Sequence, residues 1–246
     1  MGALLELEGI HKRFGSVEAL RGVSLRVHAG EVVAVVGDNG AGKSTLMKTI
    51  TGVYTPDAGR IRFDGRDITG LDPGSVRRLG IEMIYQDLAL APQQDVPANI
   101  FLGREPVRRA LGFFRVIDRR ATDREAKDML DRLGARIADI HVEVGLLSGG
   151  QQQSVAIARA LTFSPRLVIM DEPTAALAVR EVEHVLELIR ELARRNIAVI
   201  LISHRLTDVF AVSDRIVTLR QGTVVADEPT AATDMREVVA HIVGAH

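Results

Sequence analysis

Gly37-Asp38-Asn39-Gly40-Ala41-Gly42-Lys43-Ser44-Thr45 comes directly after an apolar run over residues 31–36. Such a run entering a glycine-rich turn predicts a buried parallel strand feeding a helix. From Gly37 to Ser44 the turn fits the pattern G-x-x-x-x-G-K-[ST]. Its glycines let the backbone turn tightly, so that several N–H groups point at one phosphate, and the dipole of the next helix assists them. Gly37, Asp38, Asn39, Gly40, Ala41, Gly42, Lys43, Ser44 and Thr45 are therefore expected to cradle a nucleotide's phosphates. Lys43 is placed to reach the β- and γ-phosphates, Ser44 to ligate Mg²⁺, and Thr45 to bond a neighbouring oxygen. A plain Gly-rich turn is the bland alternative, and the Lys-Ser pair after a buried strand argues against it.

Short apolar runs recur at residues 81–85, 167–170, 197–202 and 215–219. Between the second and third of these, Val182, Val185, Leu186, Ile189 and Leu192 stand at helical spacing. Strands alternating with helices imply a parallel α/β sheet. The first sixty or so residues differ. Residues 24–27 alternate, and residues 60–63 end in the turn pair Asp64-Gly65. This predicts an antiparallel β portion beside the parallel core. Residues 87–162 show no strand pattern. Residues 119–133 carry a thin apolar stripe of Met129, Leu130 and Leu133 on a polar helix, with Gly134 as its stop. The expected division is an α/β core over 1–86 and 163–246, interrupted by a helical subdomain over 87–162.

Composition narrows the function classes. The chain has 246 residues, 46% of them hydrophobic, and a formal net charge of −1. That suits one large domain or a core with a subdomain, and not a chain built mainly to coat nucleic acid. With no cysteine, disulfides and thiolate metal sites are excluded. Glu6 and Glu8 break up the apolar N-terminus, against a secretory signal. No apolar run approaches the ~20 residues of a membrane helix, so any work at a membrane is expected to go through a partner.

Asp171 and Glu172 end the run Leu167-Val168-Ile169-Met170. A carboxylate at the end of a buried strand in a phosphate-loop enzyme is placed beside Mg²⁺, which is the role expected of Asp171. Glu172, one residue on, suits a general base for water. A solvated carboxylate pair is the alternative. Asp-Glu-Pro-Thr-Ala-Ala occurs again at residues 227–232, after the turn Gln221-Gly222, and that copy is expected to be a surface loop before the C-terminal helix. Leu147-Ser148-Gly149-Gly150-Gln151 stands between the phosphate loop and Asp171. Ser148 is a good N-cap, so a capped helix running through Leu161 accounts for it in the simplest way.

A phosphate loop, then LSGGQ, then an apolar strand ending in Asp-Glu resembles the ATP-binding cassette (ABC) family over nearly the whole chain. The resemblance implies a P-loop NTPase fold, ATP with Mg²⁺, and hydrolysis of ATP. It gives Ser148, Gly149, Gly150 and Gln151 to the γ-phosphate of a nucleotide held by another subunit. His204, after residues 198–203, would be the switch histidine that contacts the γ-phosphate and holds the attacking water. Gln86, after residues 81–85, would contact Mg²⁺ and water and begin the loop that signals to a partner. Phe14 would stack on adenine, against the bland role of an ordinary core phenylalanine. At Ala178 the common pattern has Asp, which helps two subunits sense each other's nucleotide; hydrolysis is expected to survive that change and communication to suffer.

Gly37-Asp38-Asn39-Gly40, residues 81–90, residues 99–105 and His241-Ile242-Val243-Gly244 resemble the sugar-importer branch, of ribose, xylose and fructose type. The single cassette is similar to fructose-importer-like members. The branch implies a head-to-tail homodimer, transmembrane permease subunits, an extracytoplasmic sugar-binding protein acting indirectly, and a cytoplasmic place on the inner face of the membrane. No nucleic-acid partner is expected. A soluble ABC ATPase acting on DNA, ribosomes or cluster assembly is an alternative, although the long coiled coil of DNA-repair members and the two cassettes of translation members are missing. An ATP-gated clamp without useful turnover is another, motivated by Ala178. The basic run Arg104, Arg108, Arg109, Arg115, Arg119 and Arg120, near Phe113-Phe114, is expected to be a solvated helix face.

Overall fold

The computed structural model describes residues 2–110, 114–175 and 177–245. It divides into two compact units. The first comprises Met1–Gln86, Pro165–Ala175 and Leu186–His246; the second comprises Asp87–Ser164 and Ala176–Val185.

Two sheets build the first unit. In one, β1 (Leu5–Phe14) lies between β2 (Val17–Val27) and β4 (Ala58–Phe63), and β5 (Arg66–Asp67) extends it past β4, all antiparallel. Asp64 and Gly65 join β4 to β5 with φ of 52° and 74°. Two successive positive φ values are the signature of a type I′ hairpin turn. β1 buries Leu5 and Leu7, and after Gly9 it buries Ile10. The buried phase changes because a bulge at Gly9, with φ 58°, shifts the register between Leu7 and Ile10.

The other sheet has the order β12 (Thr223–Pro229), β11 (Arg215–Arg220), β3 (Val32–Val36), β10 (Ala198–Ile202), β9 (Leu167–Asp171) and β6 (Ile81–Ile84). Every pairing is parallel except β11 with β12. β3 and β10 are buried along their whole length because both faces of the sheet are covered. Val33 and Val35 point into the main core with Leu46, Met47 and Ile200. Ala34 and Val36 point the other way, to Val209 of α7 (Leu206–Val212) and Val238 of α8 (Met235–Val243).

Helices make up most of the second unit. α3 (Val96–Ile100), α4 (Arg119–Arg132) and α5 (Gly149–Leu161) pack on one another, joined by the first turns of α6 (Val179–Arg194). α4 turns Thr122, Ala126 and Leu130 inward. Asn99, buried in α3, accepts the Ala91 N–H and donates to the Ala91, Gln94 and Asp95 carbonyls, which pins the loop before that helix.

Three expectations are corrected. The stretch over residues 87–162 does contain strand: β7 (Val107–Ala110) pairs antiparallel with β8 (Phe114–Ile117). Its strands are four residues each and mix β-branched residues with arginines in no regular alternation, which leaves no period to read. Consequently Arg108, Arg109 and Arg115 lie on that ribbon, not on a helix face, while Arg119 and Arg120 open α4 and Arg104 stacks 3.5 Å over the Phe163 ring. Phe113 lies outside the described residues. The second Asp-Glu-Pro-Thr-Ala-Ala is no simple loop either. Asp227, Glu228 and Pro229 finish β12, where Asp227 pairs with Arg215, and Thr230–Ala232 form a 3₁₀ turn.

Gly59 adopts φ 94°, and a Cβ there would lie 2.3 Å from the Gly9 carbonyl oxygen. Gly59→Ala therefore forces backbone against backbone at the bulge. We expect a loss of about 1–3 kcal/mol, read as a lower midpoint in urea unfolding; an unchanged midpoint would show that the bulge is free to shift.

Candidate active site

The register of the parallel strands sets the site. Ile202 of β10 lies opposite Val35 of β3 on one side and Asp171 of β9 on the other. Three strand ends are thereby level at the carboxyl edge of the sheet, where ligands of open α/β sheets bind. The phosphate loop leaves β3, Glu172 leaves β9, His204 leaves β10 and Gln86 follows β6.

A cavity of about 580 Å³ opens there, lined by Asn39 through Thr45, Gln86, Asp171 and Glu172 among the expected residues. That is within the ~300–1,000 Å³ of small-molecule sites. Gly37 has φ 151°, and a Cβ on it would collide with the Leu219 carbonyl oxygen at 2.2 Å. Gly42, at φ 107°, stands before α1 (Lys43–Ile50) and brings no side chain to cap it. The first amides of α1 therefore face the cavity without a side-chain acceptor, which is an anion site by construction. Lys43 Nζ donates to the Gly37 carbonyl at 2.7 Å and to the Asp38 carbonyl at 3.1 Å. The amine is thus folded back over its own loop.

Electrostatics at this edge are frustrated. Burial pushes the Lys43 amine below its ordinary pKa, although Glu172, Asp171 and Asp38 pull it up. Burial, together with Glu172, holds the Asp171 carboxyl above its ordinary range, against the pull of Lys43 and Lys48. Both charged forms are disfavoured chiefly by loss of solvent, which the opposite charges nearby only partly offset. Donors for phosphate, a hydroxyl on Ser44, and oxygens on Gln86 and Asp171 converge on one space, so the set fits a magnesium nucleotide.

Glu172 sits outside the strand in a left-handed conformation, φ 51°. For a non-glycine residue this costs about 1–3 kcal/mol. Its Oε2 lies 2.8 Å from His204 Nδ1 and 3.4 Å from the His204 N–H. His204 contacts Glu172 rather than lining the cavity. A buried cluster fixes the two loops: Thr174 Oγ1 donates to Asp208 Oδ2 at 2.7 Å, and Arg205 donates to the Thr174 carbonyl at 3.3 Å. Sequence gave no signal for that cluster, because Thr174, Arg205 and Asp208 carry no motif of their own.

Phe14 is 42% exposed and does not line the cavity. Its ring meets Tyr54 edge-on at 5.1 Å, with Lys12 Nζ 5.6 Å from its centroid. Val17, Glu18, Ala19 and Arg21 of the neighbouring strand do line the cavity, as do Gln221 and Gly222. None of these six was legible as a site residue. Ser148, Gly149, Gly150 and Gln151 belong to the second unit. Ser148 caps α5 there, accepting the Gln151 N–H, while the Gln151 side chain accepts the Ser148 N–H.

The Asp171 shift has a thermodynamic consequence. A carboxyl with a raised pKa holds its proton more tightly folded than unfolded. Its favourable contribution is complete below the ordinary Asp range and is lost as pH rises through the folded value. Nucleotide-free Asp171→Asn is accordingly expected to melt above the parent at pH 7, with the gap closing as the pH falls into the carboxylate range. Adding Mg²⁺ and ATP is expected to reverse the order. Superimposable melting curves at pH 7 would contradict the assignment.

Comparison with known proteins agrees with this geometry. The ABC transporter family matches over residues 20–175. The chain is 45% identical to the xylose/arabinose import ATP-binding protein of Sulfolobus acidocaldarius, over 97% of this chain and 93% of that protein. It is 47% identical to the fructose import ATP-binding protein of Rhizobium meliloti, over 87% and 83% respectively. Against the ribose import ATP-binding protein of Chromobacterium violaceum the identity is 46%, over 97% of this chain and 46% of that one, so here the chain spans about half its relative. An ATP-binding cassette of an ABC transporter in its ADP conformation superposes with a TM-score of 0.86 at 29% identity, covering 99% of this chain and 100% of the other. A dimeric cassette in a post-hydrolysis state, bound to ADP and Pi, gives 0.77 at 25% identity, covering 92% and 98%. From the level strand ends to the loop that closes over phosphate, this chain belongs to the ABC transporter family.

Proposed function

We propose that this chain is the ATP-hydrolysing subunit of an importer that moves a monosaccharide through a separate membrane permease. The observation that carries the ATPase half is the convergence of Lys43, Ser44, Gln86, Asp171 and Glu172 on one cavity. Relatives named for import of xylose/arabinose and fructose supply the sugar half. Among the described residues no helix is long and apolar enough to cross a membrane. A permease is therefore the route by which the chain acts, from the inner face of the membrane, and a sugar-binding protein outside selects the cargo.

Each residue has a task. The α1 amides and Lys43 take the phosphates, and Lys43 exchanges its carbonyl partners for phosphate oxygens. Ser44, Gln86 and Asp171 would hold Mg²⁺, which would supply positive charge to offset that of the phosphates. That exchange relieves the unfavourable charges on Lys43 and Asp171. Glu172 accepts a proton from water as the new bond to the γ-phosphorus forms and the bond to the ADP oxygen breaks. His204 fixes the direction of the Glu172 carboxylate. Phe14, exposed and outside the cavity lining, would have to meet adenine beyond that lining.

The working unit is a head-to-tail pair of copies. Ser148 to Gln151 of one copy complete the phosphate contacts of the other, and two-fold symmetry makes the same contact twice in a closed dimer. The dimeric cassette among the similar structures supports this arrangement.

In steady-state phosphate release, Glu172→Gln is expected to lose about 10²–10⁴-fold in rate, the usual share of a general base, with ATP affinity retained. Lys43→Ala should instead weaken nucleotide binding itself. Equal rates for Glu172→Gln and the parent would favour the clamp. In vesicles containing the permease, hydrolysis should rise when sugar-loaded binding protein is added; a rate indifferent to every loaded binding protein would sink the importer assignment.

A further inference from the structure

The start of α5 already has an anion on it. Glu181, in the first turn of α6, lies against the start of α5, beside Ser148 and Gly150. Its side chain lies close over Gly150, so that a Cβ on that glycine would meet Glu181 Cγ at 2.9 Å and Cδ at 3.1 Å. Its Oε2 also accepts the Ala178 N–H at 3.1 Å. The Ser148 contact, then the Ala178 and Gly150 amides, hold the carboxyl below its ordinary range. Ser148, Gly150 and Glu181 line one cavity together with Arg136, Arg180 and His184.

Helix capping accounts for only part of this. Glu three residues after the N-cap commonly accepts the N-cap amide, which covers the Ala178 contact. It gives no reason for the same carboxylate to cross to the start of a different helix. The groups it approaches there, the Ser148 hydroxyl and the Gly150 amide, belong to residues assigned above to a γ-phosphate. A carboxylate and a phosphate present the same chemistry to them, anionic oxygens accepting hydrogen bonds.

We infer that Glu181 is an internal stand-in for the terminal phosphate of ATP, which the nucleotide of a second copy must displace before the dimer closes. This rests on the assignment of Ser148 to Gln151 to that phosphate. ADP lacks the displacing group, so Glu181 makes closure selective for ATP. Displacement also releases the Ala178 amide, at the position where the common pattern has Asp. Docking of phosphate on α5 is thereby transmitted to the segment that follows Glu172.

The test is ATP-driven dimerisation, measured by sedimentation velocity in a Glu172→Gln background. Glu181→Gln and Glu181→Ala are expected to lower the ATP concentration at half-dimerisation by about tenfold, the effect of losing one charge-assisted hydrogen bond, and to let ADP support some dimer. Affinity of the monomer for ATP should not move. Glu181→Gln keeps the side-chain volume, and a melting curve for each variant separates misfolding from a true effect. A midpoint equal to or above that of the background in folded Glu181→Gln overturns the inference and leaves Glu181 a helix cap. If Glu172→Gln itself stays monomeric with ATP and Mg²⁺, the dimer assignment falls first and the stand-in falls with it.

Discussion

β10 hydrogen-bonds to β3 on one side and to β9 on the other, and its last residue, Ile202, faces Val35 and Asp171 at once. Neighbouring strands lie ~4.8 Å apart, so this register brings the Asp171 carboxylate and the phosphate loop to the same edge with one strand between them. A one-residue slip would invert every side chain of β10. Close packing resists such a slip, because it would exchange side chains of different size between two covered faces. The apolar core therefore sets the spacing of the charged groups. Lys43, Asp171 and Glu172 meet because Val33, Val35, Ile169 and Ile200 have packed beneath them.

That placement is costly to the empty fold. Lys43 and Asp171 are shifted toward their neutral forms chiefly by burial, even though each has the other's charge nearby. Coulomb attraction between them is real but does not cancel the loss of solvent. Glu172 adds backbone strain at φ 51°. Charge and strain are stored at the residues assigned to bind and hydrolyse, and the well-packed sheet holds them there. A magnesium nucleotide would give both groups close polar partners in place of the solvent they have lost. Binding and stability are linked for that reason, since any ligand that prefers the folded state stabilises it.

The parts legible in the sequence are those fixed by short-range rules. Apolar runs without polar interruption gave buried parallel strands. Asp64-Gly65 gave a tight turn because both residues tolerate positive φ. The phosphate loop declared itself because only glycine fits where Gly37 presses on Leu219. Other parts depended on partners far away in the chain. The β7–β8 ribbon was hidden because its two four-residue strands mix Val107, Val116 and Ile117 with arginines in no regular alternation. Its cross-strand pair of Arg109 and Arg115 opposes like charges, which no pairing rule favours. Asp227 looked like a loop residue until Arg215, twelve positions earlier, claimed it. Val17 to Arg21 and Gln221-Gly222 enter the cavity wall through tertiary packing alone, and nothing in their own sequence marks them.

Two helix starts show how one physical device can serve opposite ends. Every helix begins with amides that lack partners inside the helix. At α1 the preceding residue is Gly42, so no side chain answers them, and the loop is left ready for an external phosphate. At α5 Ser148 and Gln151 form a reciprocal cap, and the Glu181 side chain lies over Gly150. An uncapped start favours an anion as soon as one diffuses in. A capped and covered start favours an anion only if that anion outcompetes the carboxylate already lying there. The first arrangement suits a site that binds nucleotide within a single copy. The second suits a surface that must not respond until nucleotide arrives on another copy. Asymmetry of that kind gives order to the cycle, with loading first and closure second, and it needs no difference in the chemistry of the ligand.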